Sequence, residues 1–134
     1  MQKVRFGIVG IGNMGTAHCK SLLEGKIANG VLSAICEPKK AKADAILALE
    51  GARNVVAFAD YGEMLHSGLC DAVIVAVPPY DHQALVCQAL DAGLHVICEK
   101  PAGVYTKQVK EMNATAERSD KLFGMMFNQR SNPI

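Results

Sequence analysis

Three groups of residues in this 134-residue chain have types and spacing that could do chemistry. In "GIVGIGNMGTAH", Gly7 to His18, the glycines Gly10, Gly12 and Gly15 stand behind a β-branched run and ahead of a helical pattern. Glycines so spaced allow a tight turn after a strand, bare backbone against a pyrophosphate and close packing of helix on strand. The phosphates then sit at the amino end of the helix, where unpaired N–H groups attract negative charge. The second group is Glu37, near the ~20-residue distance at which a carboxylate bonds the diol of a nucleotide ribose. The third is Glu99-Lys100-Pro101. Pro101 biases Lys100 toward an extended backbone, which would aim its ammonium out of a sheet edge.

A glycine triplet is common by chance, so the elements around it must decide what it does. Short continuous apolar runs alternate with longer helical stretches, the pattern of an α/β fold whose parallel sheet is covered on both faces, a Rossmann-type doubly wound arrangement. Six strands are predicted, at Val4 to Val9, Val31 to Cys36, Asn54 to Ala57, Ala72 to Ala76, His95 to Cys98 and Leu122 to Phe127. The helix after Gly15 is expected to turn Ala17, His18, Leu22 and Gly25 toward the sheet and to break at Asn29-Gly30. In "PPYDHQALVCQALDAG", Pro79 suits a first helical position, Asp81 the positive first turn and Gly93 the position past the end. The unusual residues then fall at the carboxyl ends of the strands: Gly10 and Gly12, Glu37 and Pro38, Pro78 and Pro79, Glu99 to Pro101, and Asn128. Ligands of open parallel sheets bind along that edge.

Composition narrows the alternatives. A formal net charge of +1 lacks the basic footprint of a nucleic-acid binder. The only local basic cluster, Lys39, Lys40 and Lys42, suits a solvated helix start or an influence on a bound phosphate. Cys19, Cys36, Cys70, Cys87 and Cys98 show no metal-ligand spacing and suit reduced, inert thiols of a cytoplasmic protein; no metal site is expected. No segment reaches the ~18 apolar residues of a membrane span, and the amino terminus is too short in its apolar part for a secretory signal. His18, His66 and His95 are read as structural. His82 shares a helical face with Leu85, Val86 and Ala89, which leaves packing and chemistry both open for it. No linker or repeat divides the chain, so residues 1–134 are expected to form one domain.

A carboxylate at position 37 repels a 2′-phosphate and so favours NAD, although Lys39 or Lys40 could relieve the repulsion and admit NADP. The cofactor contacts are expected along Gly10, Ile11, Gly12, Asn13 and Met14, then Glu37, Pro38 and Lys39.

Two motifs, "GIVGIGNMG" and the more specific "VPPYDHQALVCQALDAGLHVICEKP" from Val77 to Pro101, make the chain resemble the amino-terminal domain of the Gfo/Idh/MocA oxidoreductases. The match runs over essentially the whole chain. The resemblance implies that Val77, Pro78 and Pro79 lie against the nicotinamide ribose, that His82 stands near the cofactor, and that Glu99 and Lys100 flank the reaction site. It makes Lys100 the catalytic lysine and puts Asn128 and Arg130 near the nicotinamide. It further implies hydride transfer between NAD(P)(H) and a small sugar, polyol or related carbonyl or alcohol substrate. Members of the family continue into a substrate-binding domain through which the full-length protein would form a homo-oligomer, and this chain is read as the cofactor-binding part. A non-catalytic NAD(P)-binding regulator on the same fold is the alternative, and it has no use for Glu99-Lys100-Pro101. A methyltransferase using S-adenosylmethionine would share the glycine loop but leave that tripeptide unexplained.

Overall fold

The computed structural model describes residues 2–133; Met1 and Ile134, the limits of the expected unit, lie outside the described residues. Six parallel strands, β1 (Val4–Val9), β2 (Gly30–Cys36), β3 (Val56–Phe58), β4 (Ala72–Val75), β5 (His95–Glu99) and β6 (Phe123–Met126), form one sheet in the order β3-β2-β1-β4-β5-β6. Helices α1 (Asn13–Leu23), α2 (Lys40–Leu47), α3 (Tyr61–Leu65), α4 (His82–Asp91) and α5 (Thr106–Arg118) connect them. The chain winds outward from β1 through β2 and β3, then returns to β4 and winds the other way. That reversal between β1 and β4 opens a crevice at their carboxyl ends. Among the described residues no helix is long and apolar enough to cross a membrane.

Alternation along the central strands explains the two layers. Ile8, Ile35 and Ile74 face α1 and α2 and pack with Cys19, Leu22, Ala43 and Ile46. Val9, Val73, Val75, Val96 and Cys98 face the other way, against Met64 and Leu65 of α3, Val86, Ala89 and Leu90 of α4 and Met112 of α5. Both faces of β4 and of the second half of β1, residues 7–9, are thus dry, which is why these stretches read as continuous apolar runs rather than as polar–apolar alternation.

Two local expectations differ from the structure. The third strand begins at Val56, because Ala52–Asn54 form a 3₁₀ turn, and it pairs only with the end of β2. Helix α1 buries Gly15, Cys19 and Leu22 rather than Ala17, which is exposed, while Gly25 lies past the end of the helix with φ +72°. The helix starts two residues before Gly15, and that start fixes its phase.

The cysteines are free, and four of the five are buried. Burial pushes the Cys19 and Cys98 thiols up to about 12 and those of Cys36 and Cys70 to about 11, so all four stay protonated near neutrality. His95 is structural: its Nδ1 accepts from the Leu122 amide (3.0 Å) and ties the start of β5 to the entry of β6.

Arg5 forks onto Asp71 across β1 and β4, with Nη2–Oδ1 at 2.7 Å and Nε–Oδ2 at 3.1 Å, and the Arg5 amide adds a third bond at 2.8 Å. The Arg5 hydrogen bond holds the Asp71 carboxyl below its ordinary range. A depressed carboxyl stabilises the fold above its unfolded value, about 3.9, and that contribution disappears as pH falls through the lower folded value. Asp71→Asn should therefore flatten the fall in melting temperature below about pH 4. Thermal unfolding followed from pH 5 to pH 2 checks this, and equal acid slopes in both proteins would refute it.

Candidate functional site

Buried polar side chains locate the site, because they persist only where something satisfies them. Four are buried among the described residues: Glu37, His82, Glu99 and Thr115. The first three lie around the carboxyl ends of β2, β4 and β5, beside the loop that leaves β1.

That loop is shaped by two of its glycines. Gly10 has φ +91°, and a Cβ there would meet the Ala76 carbonyl oxygen at 2.8 Å; a Cβ on Gly15 would stand 1.8 Å from the Gly10 carbonyl oxygen. Gly12 differs from both. Its backbone is ordinary (φ −92°, ψ −155°), and a Cβ on it would meet no protein atom within 4 Å. Neither conformation nor packing therefore calls for glycine at position 12. The space beside its Cα leaves the backbone open to a ligand. Gly12 is also the N-cap of α1, which has no side-chain cap and no acidic residue in its first turn. The helix thus presents its first N–H groups to the cleft, the arrangement that receives phosphate oxygens.

Glu37 braces this loop. Its Oε2 accepts from the Ile11 amide (2.9 Å) and its Oε1 from the Lys39 amide (3.0 Å). A carboxylate has about four lone-pair sites, so two remain for a diol. A cavity of about 510 Å3 lies over these groups, lined by Gly10, Ile11, Gly12, Asn13, Met14, Glu37 and Pro38 together with Val77, Pro78 and Asp81. That volume is within the range of small-molecule sites, about 300–1,000 Å3. Lys42 is the lysine on its wall. Lys39 contributes its backbone, and Lys40 pairs with Asp44 at 2.7 Å on the surface, so neither of the two lysines expected to offset the Glu37 charge lines the cavity.

A second cavity of about 360 Å3 continues from the first across Met14, Ala76 and Val77 and is lined by Glu99, Lys100, Asn128 and Gln129. Glu99 is buried and Lys100 exposed at the end of β5; the Lys100–Pro101 peptide is cis. The tail that follows β6 turns through a 3₁₀ segment, Asn128–Ser131. It brings Gln129, which the sequence did not single out, to the cavity, whereas Arg130 stacks over Phe127 at 4.6 Å instead of lining it.

Two histidines have places that spacing alone did not reveal. His82 is 1 % exposed and lines neither cavity. Its Nδ1 stands 2.8 Å from the Pro101 carbonyl oxygen and its Nε2 2.9 Å from that of Val77, so it clamps the loop after β4 to the turn after Lys100. Pro79 likewise shapes the chain rather than lining the cleft: it opens the 3₁₀ turn Pro79–Asp81 that leads into α4. His18, expected to be structural, reaches from α1 to Glu99, with Nε2 and Oε1 2.6 Å apart. It lies one helical turn after Met14, a position that faces the loop, but its partner is 81 residues away.

The family model for an oxidoreductase family with an NAD-binding Rossmann fold matches residues 4–127. The chain belongs to the Gfo/Idh/MocA oxidoreductase family. Inositol 2-dehydrogenase of Leifsonia xyli subsp. xyli is 34% identical over 126 residues, which cover 92% of this chain and 36% of that protein. The rhizopine catabolism protein MocA of Rhizobium meliloti is 30% identical over 118 residues, covering 88% and 35%. Scyllo-inositol dehydrogenase from Lactobacillus casei, solved with bound NAD(H) and scyllo-inositol, superposes with a TM-score of 0.90 at 27% identity over 98% of this chain and 38% of that one. The chain therefore spans little more than a third of the length of these Gfo/Idh/MocA relatives, and the span it matches is their NAD-binding Rossmann fold.

The geometry separates the glycines by task. Gly12→Ala should leave the melting temperature within the equivalent of about 1 kcal/mol, since the added methyl meets nothing and only the cap changes. It should also weaken NADH binding at least tenfold. Gly15→Ala should destabilise by about 3 kcal/mol, because backbone must move to admit the Cβ. Calorimetric titration with NADH and thermal unfolding of both variants check the pair; a folded Gly12→Ala protein with undiminished affinity would exclude phosphate contact at that position.

Proposed function

We propose that this chain is the cofactor-binding part of an NAD-dependent oxidoreductase that transfers hydride between NAD(H) and a polyol or sugar. One observation carries the proposal: the uncapped glycine loop and the Glu99-Lys100 pair lie at two ends of one continuous cleft, joined through Met14, Ala76 and Val77. A site that only held a nucleotide would need the first end alone.

Each lining group has a task in this proposal. The first N–H groups of α1 receive the pyrophosphate, and the free lone pairs of Glu37 accept from the adenosine ribose. Val77 lines both cavities and Pro78 the first beside it, where the second ribose would lie. When bound, NAD supplies the hydride acceptor, and the protein supplies orientation and charge. Lys100 is exposed and free to approach a substrate oxygen, where its ammonium gives a proton or stabilises a developing alkoxide, or its neutral amine takes the proton in the reverse direction. His82 acts behind this surface, holding the backbone from which Lys100 projects, and Pro79 opens the turn that leads to it.

The polyol or sugar substrate is supported by the inositol dehydrogenases among the relatives, of whose length this chain spans little more than a third. The substrate surface and the contacts of a homo-oligomer belong to the part of such a protein outside these residues. The preference for NAD over NADP rests on the Glu37 charge, with Lys42 as the cation placed to meet a 2′-phosphate.

Two measurements test the assignment. In the intact enzyme Lys100→Met should lower turnover by about 10² to 10⁴ while NADH affinity stays within about twofold. A loss smaller than about tenfold would move the proton-transfer role away from Lys100 and support a regulator built on this fold. Glu37→Gln, which keeps an acceptor for one of the two backbone amides, should raise NADP affinity relative to NAD, and adding Lys42→Ala should reverse much of the gain. If the ratio of the two affinities stays constant across the variants, Glu37 does not select the cofactor.

A further inference from the structure

Among the described residues, Glu37, His82 and Glu99 are the buried polar groups at the cleft, and two of them are held by backbone: Glu37 by two amides and His82 by two carbonyls. Glu99 is held differently. The only hydrogen bond to its carboxylate among the described residues is the one from His18, at 2.6 Å to Oε1. Among the described residues no buried side-chain oxygen lacks a partner, so the second carboxylate oxygen is the accessible one, and Glu99 lines the cavity with Met14, Val77, Lys100 and Asn128. Nε2 can approach a carboxylate this closely only as a donor, which leaves the carboxylate as the acceptor and orients it. A negative group is thereby fixed under one end of the cleft, beside an exposed ammonium.

We infer that the His18-held Glu99 carboxylate sets the balance between oxidised and reduced cofactor. The nicotinamide ring is a cation in NAD⁺ and neutral in NADH, so a fixed charge near it distinguishes the two forms by its sign. Lys100 alone would disfavour the cationic ring; Glu99 offsets that repulsion. This inference rests on the nicotinamide lying at the Glu99-Lys100 end, as proposed above. His18 lines neither cavity and is a positioning residue. It acts by keeping the carboxylate in the cavity wall.

The readout is the ratio of the dissociation constants for NAD⁺ and NADH, measured by calorimetry on the same protein preparations without substrate. At several ångströms and the screening of a partly open site, loss of one charge should raise that ratio by about tenfold. Glu99→Gln, which keeps the shape and removes the charge, should show this rise. His18→Leu should show a similar rise, because the carboxylate loses its one donor, and His18→Gln, which restores an N–H, should return the ratio to within about threefold of the unmodified protein. If His18→Leu does not fold, Glu99→Gln and His18→Gln decide. An unchanged ratio in Glu99→Gln, with both ligands still bound, overturns the inference and leaves the cofactor site standing. Failure of the unmodified protein to bind either form overturns the site and this inference together.

Discussion

Helix α1 can begin against the end of β1 only because nothing projects from Gly15 toward the Gly10 carbonyl oxygen, which leaves 1.8 Å where a Cβ would stand. The rest of the cleft depends on that close approach. It sets the phase of α1, and so which residues reach the sheet: Cys19 and Leu22 go into the core, and His18 is left at its margin, facing β5. It also leaves the first turn of the helix uncapped at the carboxyl edge of the strands, where its N–H groups are available to an anion. A single methyl group here would separate helix from strand and displace every group that the helix presents.

The two buried acidic residues of the cleft show how a buried carboxylate is made tolerable. An isolated charge in a dry site is too costly to persist, so each has acquired donors. Glu37 takes them from the backbone of the loop it borders, and in doing so it rigidifies the loop. Glu99 takes its donor from a side chain on another element. A backbone donor is fixed by the fold, whereas a histidine can be changed without altering the chain path. The two ends of the cleft therefore differ in how readily their charge could be retuned.

His82 completes the support. With one ring it reaches the carbonyls of Val77 and Pro101, the wall between the cavities and the residue after Lys100. The strand-end tripeptide is thus held on one side by a helix from the first half of the sheet, through Glu99, and on the other by a helix from the second half, through Pro101. Lys100, between them, carries the exposed charge of the tripeptide.

The sequence by itself determined what depends on neighbours in the chain. The apolar runs at Val4–Val9, Ala72–Ala76 and His95–Cys98 mark strands, with bounds within one residue of those observed, because burial in a doubly covered sheet demands them, and the glycine spacing with Glu37 at the next strand end marks a nucleotide loop through short-range geometry. Where local signals were weak or shared, it misplaced detail: β3 is three residues long and held by the end of β2, and Ala17 fits a helix face that the start of α1 rotates into solvent. Tertiary structure alone decided the rest. That His18 meets Glu99, that His82 turns inward to two carbonyls, that Lys42 rather than Lys39 or Lys40 lines the cavity, and that Gln129 joins the lining while Arg130 does not, all follow from how strands are ordered and helices phased around them. These contacts join residues that are far apart in the chain or depend on a helix's rotation. Periodicity fixes which residues share a face, but it carries no information about which distant side chain that face will meet.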